Sequence, residues 1–391
     1  MSLKKMPKGI IALGFVSMFM DISSEMIHSI LPVFMMTVLH TSALWVGIVE
    51  GIAESTAAIV KIFSGAISDW IGKRKPLLLL GYGLATVTRP LFPIAETIHM
   101  VLLARFTDRI GKGIRVAPRD AFVADLTTPE NRGAAYGLRQ TMDTIGAFLG
   151  PLIAILLMLW TANDFRFVFW AAMIPAVMVL LIIIFAVKEP PRAKETEKKP
   201  FPLKKSQLKL LGRAFWFVTI LGSVLTLARF SDAFLILRGD SLGLSAAYAP
   251  AILIAMNVVY SLSAWPAGVL SDRIGRTGML AAGIIVLIAA DLVLAQAAGP
   301  VLLFLGAGLW GLHMGLTQGI LTALVADAAP AHLRGTAFGM YNLMTGVALL
   351  LASVLAGALW KFHGPAHAFI AGAGFSALSL VGFLLLKGKK A

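Results

Sequence analysis

Asp21, Glu25 and His28 stand at i, i+4 and i+7 in an apolar run that begins near Gly9 and passes Leu31, so a helix puts all three on one face. Pro32 follows on a similar side, where it can kink that helix. The next apolar run repeats the spacing with Glu50 and Glu54 and adds Lys61, and the third carries Arg89 before Pro90. The fourth aligns Arg105, Asp108, Arg109 and Lys112 along one stripe, and the fifth sets Arg139 four residues before Asp143. An ionisable group at the centre of a bilayer costs about 2.5–3.5 kcal/mol on insertion scales, so such groups face one another or water and mark proton or substrate paths. Asp21, Glu25, Arg105 and Asp143 lie deepest in their runs and form the expected proton-coupling set. A carboxyl in an apolar cavity keeps a proton near neutral pH until an arginine or a charged substrate displaces it. Asp21 or Glu25 is the expected carrier, with Arg105 as its electrostatic partner.

The remaining charges, His28, Glu50, Glu54, Asp108, Arg109, Lys112 and Arg139, are candidates for a substrate cavity. For each of them an ion pair at a helix end is an equal alternative, with Glu50 near the outer surface and Lys112, Arg115 and Arg119 near the inner one. The second half of the chain is sparser. It offers Arg229 and Asp232, Asn257 and Tyr260, His313 and Gln318, and Asn342. A single buried histidine such as His313 more often packs than ligates, and Trp310 is expected to pack or to anchor at an interface. The first half thus reads as the ion-coupling half, the second as an apolar wall with isolated hydrogen-bonding groups.

These residues need a membrane to position them. Of 391 residues 58% are apolar and 14% charged, against roughly 25% charged in soluble domains. A helix crosses the hydrocarbon with about 20 apolar residues. Runs of that kind fall at 9–37, 43–68, 76–95, 98–122, 134–160 and 166–187, then at 214–238, 246–270, 278–298, 300–326, 336–360 and 366–387. The expected organisation is an all-α membrane protein of twelve transmembrane helices: a six-helix bundle over 1–187, a cytoplasmic linker over 188–213 and a second six-helix bundle over 214–391. The first run is too long for a signal-peptide core and is read as a retained helix.

Charge sets the orientation. Lys4, Lys5 and Lys8 precede the first run, Lys73, Arg74 and Lys75 follow the second, and nine Lys or Arg against three Glu fill 188–213. Loops near 39–44, 94–99 and 298–300 have no Lys or Arg. Positive loops stay inside, so both termini and the linker are expected in the cytoplasm, in a bacterial inner membrane. The net charge of +14 is then topology and attraction to anionic lipid rather than nucleic-acid binding. With no cysteine, disulfides, thiolate metal sites and cysteine nucleophiles are excluded. His28, His99 and His313 are scattered, so no metal cluster shows in the spacing. The phosphate loop of an ATP-driven pump does not occur. No catalytic constellation suggests an enzyme, and no cofactor is expected.

The two halves repeat. Ala121-Phe122-Val123-Ala124-Asp125 followed by Arg132-Gly133-Ala134-Ala135-Tyr136-Gly137 recurs as Ala323-Leu324-Val325-Ala326-Asp327 followed by Arg334-Gly335-Thr336-Ala337-Phe338-Gly339. Gly65-Ala66-Ile67-Ser68-Asp69-Trp70-Ile71-Gly72-Lys73 recurs at nearly the same offset as Gly268-Val269-Leu270-Ser271-Asp272-Arg273-Ile274-Gly275-Arg276. Duplicated bundles related by an axis along the membrane normal are a known transporter architecture.

The segment from Gly65 resembles the signature loop of the major facilitator superfamily, with Trp70 in place of its first basic residue and Arg273 keeping that residue in the second copy. The resemblance implies a conformational latch at Gly65, Asp69, Gly72, Lys73, Arg74, Gly268, Asp272, Arg273 and Gly275, in which the Asp caps a neighbouring helix N-terminus. Arg105 to Ile114 is similar to the family's fourth-helix motif, whose Arg is linked to proton transfer, although Asp108, Arg109 and Lys112 depart from its usual residues. Gly146, Gly150 and Pro151 resemble the fifth-helix motif of exporters of the antiporter type, without its closing paired glycines.

The resemblance implies a monomeric secondary transporter working by alternating access, with protons, membrane lipid and a small-molecule substrate as its partners. Efflux of an amphipathic anion or zwitterion is the leading expectation from the basic stripe. The acidic groups of the first two helices equally suit a cation, and uptake of a nutrient or metal chelate is the rival. A sensor or lipid scramblase is a third class, disfavoured by short loops and the lack of a soluble domain.

Overall fold

The computed structural model describes residues 7–71, 73–128, 131–189, 210–330 and 333–388, which are helical apart from turns and short connections, with no strand among them. The helices are α1 (Lys8–His28), α2 (Leu31–Thr37), α3 (Ala43–Ile71), α4 (Lys75–Thr88), α5 (Ile98–Asp125), α6 (Arg132–Trp160), α7 (Phe165–Ala171), α8 (Met173–Phe185), α9 (Arg213–Ala228), α10 (Ala233–Ser241), α11 (Ala249–Ile274), α12 (Arg276–Gln296), α13 (Pro300–Ala328), α14 (Arg334–His363) and α15 (Pro365–Gly388). Each expected span holds one helix or a broken pair. Ten of the spans are long and apolar enough to cross a bilayer. The other two are α4, prolonged by a 3-10 turn at Arg89–Leu91, and α5. The first is short and the second carries the basic stripe, so the two least lipid-like segments hold the charges.

The breaks have local causes. Pro32 has no N–H to give to the carbonyl of His28, and α1 stops there before α2 resumes. Pro175 interrupts the α7–α8 ladder in the same way, and the Ser23 hydroxyl donates to the carbonyl of Ala172 at 2.7 Å. Pro90 ends α4 in the 3-10 turn. Between α9 and α10 no proline or glycine is present, yet Arg229–Asp232 is unwound. There the backbone N–H of Ser231 donates to the Ser353 hydroxyl at 3.3 Å and that of Ala233 to the Ser231 hydroxyl at 3.2 Å. Unwound backbone is tolerated at membrane depth where protein groups replace the lost ladder bonds.

The chain forms two compact units: residues 1–31 with 56–201, and residues 32–55 with 202–391. In the first, α1 packs along α6 and α8, and α4 along α5 and α8. In the second, α9 packs along α14 and α15, and α12 along α13 and α15. The packing scheme repeats in the order that the duplicated motifs predict. Residues 43–55 of α3 belong to the second unit, where a Cβ on Gly47 would meet the carbonyl of Ser353 and one on Gly51 would lie 3.1 Å from that of Leu350. Glycines that admit a neighbouring backbone are a usual means of helix association in lipid. The outward faces are apolar: Val87 is 73% exposed, Trp160 76%, Trp265 78% and Val301 80%, as lipid contact requires.

Candidate functional site

In the first unit the polar groups converge on α1 and α5. The Arg105 guanidinium donates to His28 Nδ1 at 3.2 Å, and both side chains are buried. Because an arginine can only donate, Nδ1 is the lone-pair nitrogen of a neutral imidazole. Arg89, 2% exposed, donates to the Ser24 hydroxyl at 2.8 Å and pairs with Asp108 at 3.5 Å. Asp108 also pairs with Arg109 at 3.8 Å. About two turns further along α5 the Arg115 guanidinium lies 4.7 Å from the centroid of the buried Tyr82 ring, a contact in which the ring quadrupole attracts the cation. Arg119 donates to the Ser17 hydroxyl at 3.0 Å and to Asp120 at 3.2 Å. Arg139 binds Asp143 at 2.5 Å and lies 3.9 Å from Asp120. Lys112 is half-buried on the same helix.

Asp21 and Glu25 sit where α1 meets α6, and the fit is set by two glycines. A Cβ on Gly146 would lie 2.6 Å from the carbonyl of Met18 and 2.9 Å from Asp21 Cβ. A Cβ on Gly150 would lie 2.7 Å from Glu25 Cβ and 2.8 Å from the carbonyl of Ile22. The glycine register of α6 therefore matches the carboxyl register of α1 residue for residue. Both acids are half-buried rather than lipid-exposed.

The second unit distributes its polar groups around the unwound segment. Arg229 lies within electrostatic reach of Tyr341, Tyr260 and His313. The Tyr260 hydroxyl donates to Gln318 Oε1 at 3.0 Å. His313 is fully buried, and its Nδ1 lies 2.9 Å from the carbonyl of Gly283. A carbonyl only accepts, so Nδ1 carries the hydrogen and Nε2, which has no partner, presents a lone pair. Asp232, Asn257 and Asn342 are half-buried. Trp310 packs with Phe230, their ring centroids 5.4 Å apart, as expected of a packing residue. Glu50 is fully buried and Glu54 is half-buried.

Of the latch residues, Gly72 and the side chains of Asp69, Asp272, Arg273 lie outside the described residues. Gly65 approaches α5, where its Cβ would touch that of Ala117 at 3.4 Å, whereas a Cβ on Gly268 would meet open space. Gly275 has φ +83°, a turn conformation that favours glycine. Lys73 is exposed. Arg74 is buried, pairs with Asp125 at 3.3 Å and hydrogen-bonds the Ser68 hydroxyl. In the repeat, Asp327, the counterpart of Asp125, pairs with Arg276, which aligns with Lys73, the residue before Arg74. Both copies of the Asp thus hold an arginine, from positions one residue apart in the aligned loops.

Nothing in the sequence pointed to Tyr82, Ser24 or Tyr341, and Arg89 was assigned no role. Arg89 was visible as a cation beside a proline inside an apolar run; the serine and tyrosines carried no such signal.

Comparison with known proteins agrees with this architecture. The model of the Major Facilitator Superfamily matches residues 13–257 and 231–391. An uncharacterized MFS-type transporter of Methanocaldococcus jannaschii is 31% identical over 389 residues, spanning 98% of this chain and 95% of that protein. The multidrug resistance protein MdtH of Proteus mirabilis is 28% identical over 233 residues, 56% of each chain. Among solved structures, a mutant of the nucleoside transporter NupG superposes with a TM-score of 0.81 at 15% identity, over 96% of this chain and 99% of that one. A bacterial homologue of the human lysosomal transporter Spinster gives 0.78 at 15% identity, over 96% and 95%. At these identities the superpositions speak for the fold alone. The family match runs the length of the chain, the helices repeat in two sets and the ionisable groups are turned inward: this multi-pass membrane protein belongs to the Major Facilitator Superfamily of transporters.

Proposed function

We propose that this transporter exports a small amphipathic organic compound, anionic or zwitterionic, in exchange for protons by alternating access. The observation that carries the reading is the seating of Asp21 and Glu25 on Gly146 and Gly150. The glycines that resemble the exporter motif touch the backbone of the helix that bears the candidate proton carriers. A change in the charge or hydration of either carboxyl is therefore felt directly at the α1–α6 contact, since no side chain on α6 cushions it. Arg105 supplies a fixed positive charge beside His28. A proton arriving at His28 would remove its lone pair and set two cations side by side, so proton loading and the Arg105–His28 bond oppose each other.

In the second unit, Arg229 supplies a cation within electrostatic reach of two acceptors, the Tyr260 oxygen, whose hydrogen is given to Gln318, and the lone pair of His313 Nε2. A zwitterion needs that combination. The partial likeness to MdtH supports efflux over uptake. The chain is further proposed to work as a monomer in the cell membrane with both termini in the cytoplasm, on the strength of its basic loops.

The test uses protein reconstituted in vesicles under an imposed pH gradient, with labelled anionic, zwitterionic and cationic compounds. Asp21→Asn and Glu25→Gln are each expected to reduce pH-driven transport at least tenfold while leaving folding intact. Full pH-driven transport by both variants ends the proton assignment. Accumulation of the compound in the direction of proton flow establishes uptake instead of export.

A further inference from the structure

Asp291 is an acid in the middle of the second unit to which neither the motifs nor the proposed transport path gives a role. It lies on α12, is 0% exposed, and neither carboxyl oxygen has a hydrogen-bond partner. No ion pair reaches it among the described residues. The space around it is shaped: a Cβ on Gly372 of α15 would lie 2.8 Å from Asp291 Oδ2 and 3.2 Å from a ring carbon of Phe230. The carboxyl thus occupies the place of the side chain that Gly372 lacks. Behind it Phe230 packs at 5.4 to 5.5 Å between ring centroids against Phe234, Trp310 and Phe369.

The charged and titratable groups on the packed elements are engaged elsewhere. Arg238 of α10, one turn towards the end of α12, spends its guanidinium on the carbonyls of Leu294 and Ala297 at 2.9 and 2.7 Å. His313 of α13 is held by Gly283, two turns away along α12. His367 of α15 makes a tilted ring contact with His363, beyond the first turn from Gly372. Arg229 and Asp232 lie with Phe230 in the unwound segment, where Arg229 is in electrostatic reach of Tyr341 and Tyr260. Tyr260 of α11 is bonded to Gln318.

We propose that Asp291 is a second proton-binding site, in the C-terminal unit and independent of Asp21 and Glu25. An ionised carboxylate here would be a buried charge without a partner, which proteins avoid by neutralising the group. A metal cation is a poorer occupant, because it requires several oxygen ligands and no group of three or more His, Cys, Asp or Glu that could hold one occurs among the described residues.

A lipid-soluble carbodiimide tests this on the full-length protein in detergent micelles. The reagent reacts with a protonated carboxyl in apolar surroundings. The carboxyl oxygen adds to the central carbon, its proton passes to a nitrogen, and acyl migration leaves a stable N-acylurea with no leaving group. Dicyclohexylcarbodiimide at mildly acidic pH is expected to place an adduct on the wild-type peptide containing Asp291, which peptide mass mapping would locate. Alkaline pH should reduce it, sodium ions at fixed pH should not, and Asp291→Asn should lose it while keeping adducts elsewhere. Thermal melting provides the second readout. A proton held only by the folded state stabilises at low pH and is lost as pH rises, so the melting temperature of Asp291→Asn should gain on wild type with rising pH. A melting difference independent of pH, or protection by sodium, overturns the assignment. Should the variant fail to fold, absence of the wild-type adduct overturns it.

Discussion

The two units share a helix order and a packing scheme but use charge differently. The first buries a network: Arg89, Asp108 and Arg109 pair with one another, Arg105 bonds His28, Arg119 reaches Ser17, and Arg139 holds Asp143. The second buries single groups, each with a different solution. His313 bonds a backbone carbonyl, Arg238 bonds the end of α12, and Asp291 bonds nothing. A duplicated backbone therefore tolerates two ways of placing polarity in lipid. A network is held by mutual attraction and suffers when one member is removed. Isolated groups depend on local backbone partners and can be altered one at a time.

The comparison is most exposed at Arg89. Arg89→Ala leaves Asp108 without one of its buried partners and should cost about 3–5 kcal/mol, read from unfolding of the purified protein. Adding Asp108→Asn should recover part of the loss. An additive double mutant would deny that the first unit is a network. Next comes the conserved geometry of the repeat itself. Arg74 is buried and also bonds Ser68, so Arg74→Ala should cost about 1.5–3 kcal/mol. In the Arg276–Asp327 pair the side chains are 41% and 59% exposed, so Arg276→Ala should cost about 0–1 kcal/mol. Equal losses from the same melting assay would erase the distinction between the units.

Packing sharpens the contrast within one helix. Gly146→Leu forces side-chain atoms onto the α1 backbone and should cost about 1–3 kcal/mol, along with pH-driven transport. Gly137→Ala on the same helix meets open space and should be neutral or stabilising by up to about 1 kcal/mol. A modest effect is expected at Tyr260→Phe, which removes one hydrogen bond from Gln318 and should cost about 0.5–1.5 kcal/mol. A larger loss there, seen by the same melting measurement, would mean that the second unit also holds a coupled network.

Much of the architecture was legible because the bilayer imposes a length and a polarity on each span. Pro32 foretold the break after α1, and the repeated Asp125 and Asp327 each hold an arginine, from positions one residue apart in the aligned loops. The site was less legible. The i, i+4 spacing put Asp21 and Glu25 on one face but did not show that Gly146 and Gly150 would receive them. Arg105 was expected beside those acids, but the spacing gave no sign of the hydrogen bond it makes to His28. The unwinding at Arg229–Asp232 has no proline or glycine to announce it, because it is stabilised by Ser353, far away in the chain. Asp291 was in plain view as an acid in an apolar helix and lacked only a periodic partner to draw notice.

Composition, span length and internal repetition by themselves determined that this chain crosses a membrane as two related helical sets, since a lipid solvent permits little else for such a sequence. Which charges meet, which helix unwinds and which acid stays alone were decided by tertiary packing. Those outcomes depend on how one helix rotates against another, and helical periodicity gives the face a residue occupies on its own helix without giving the partner opposite it.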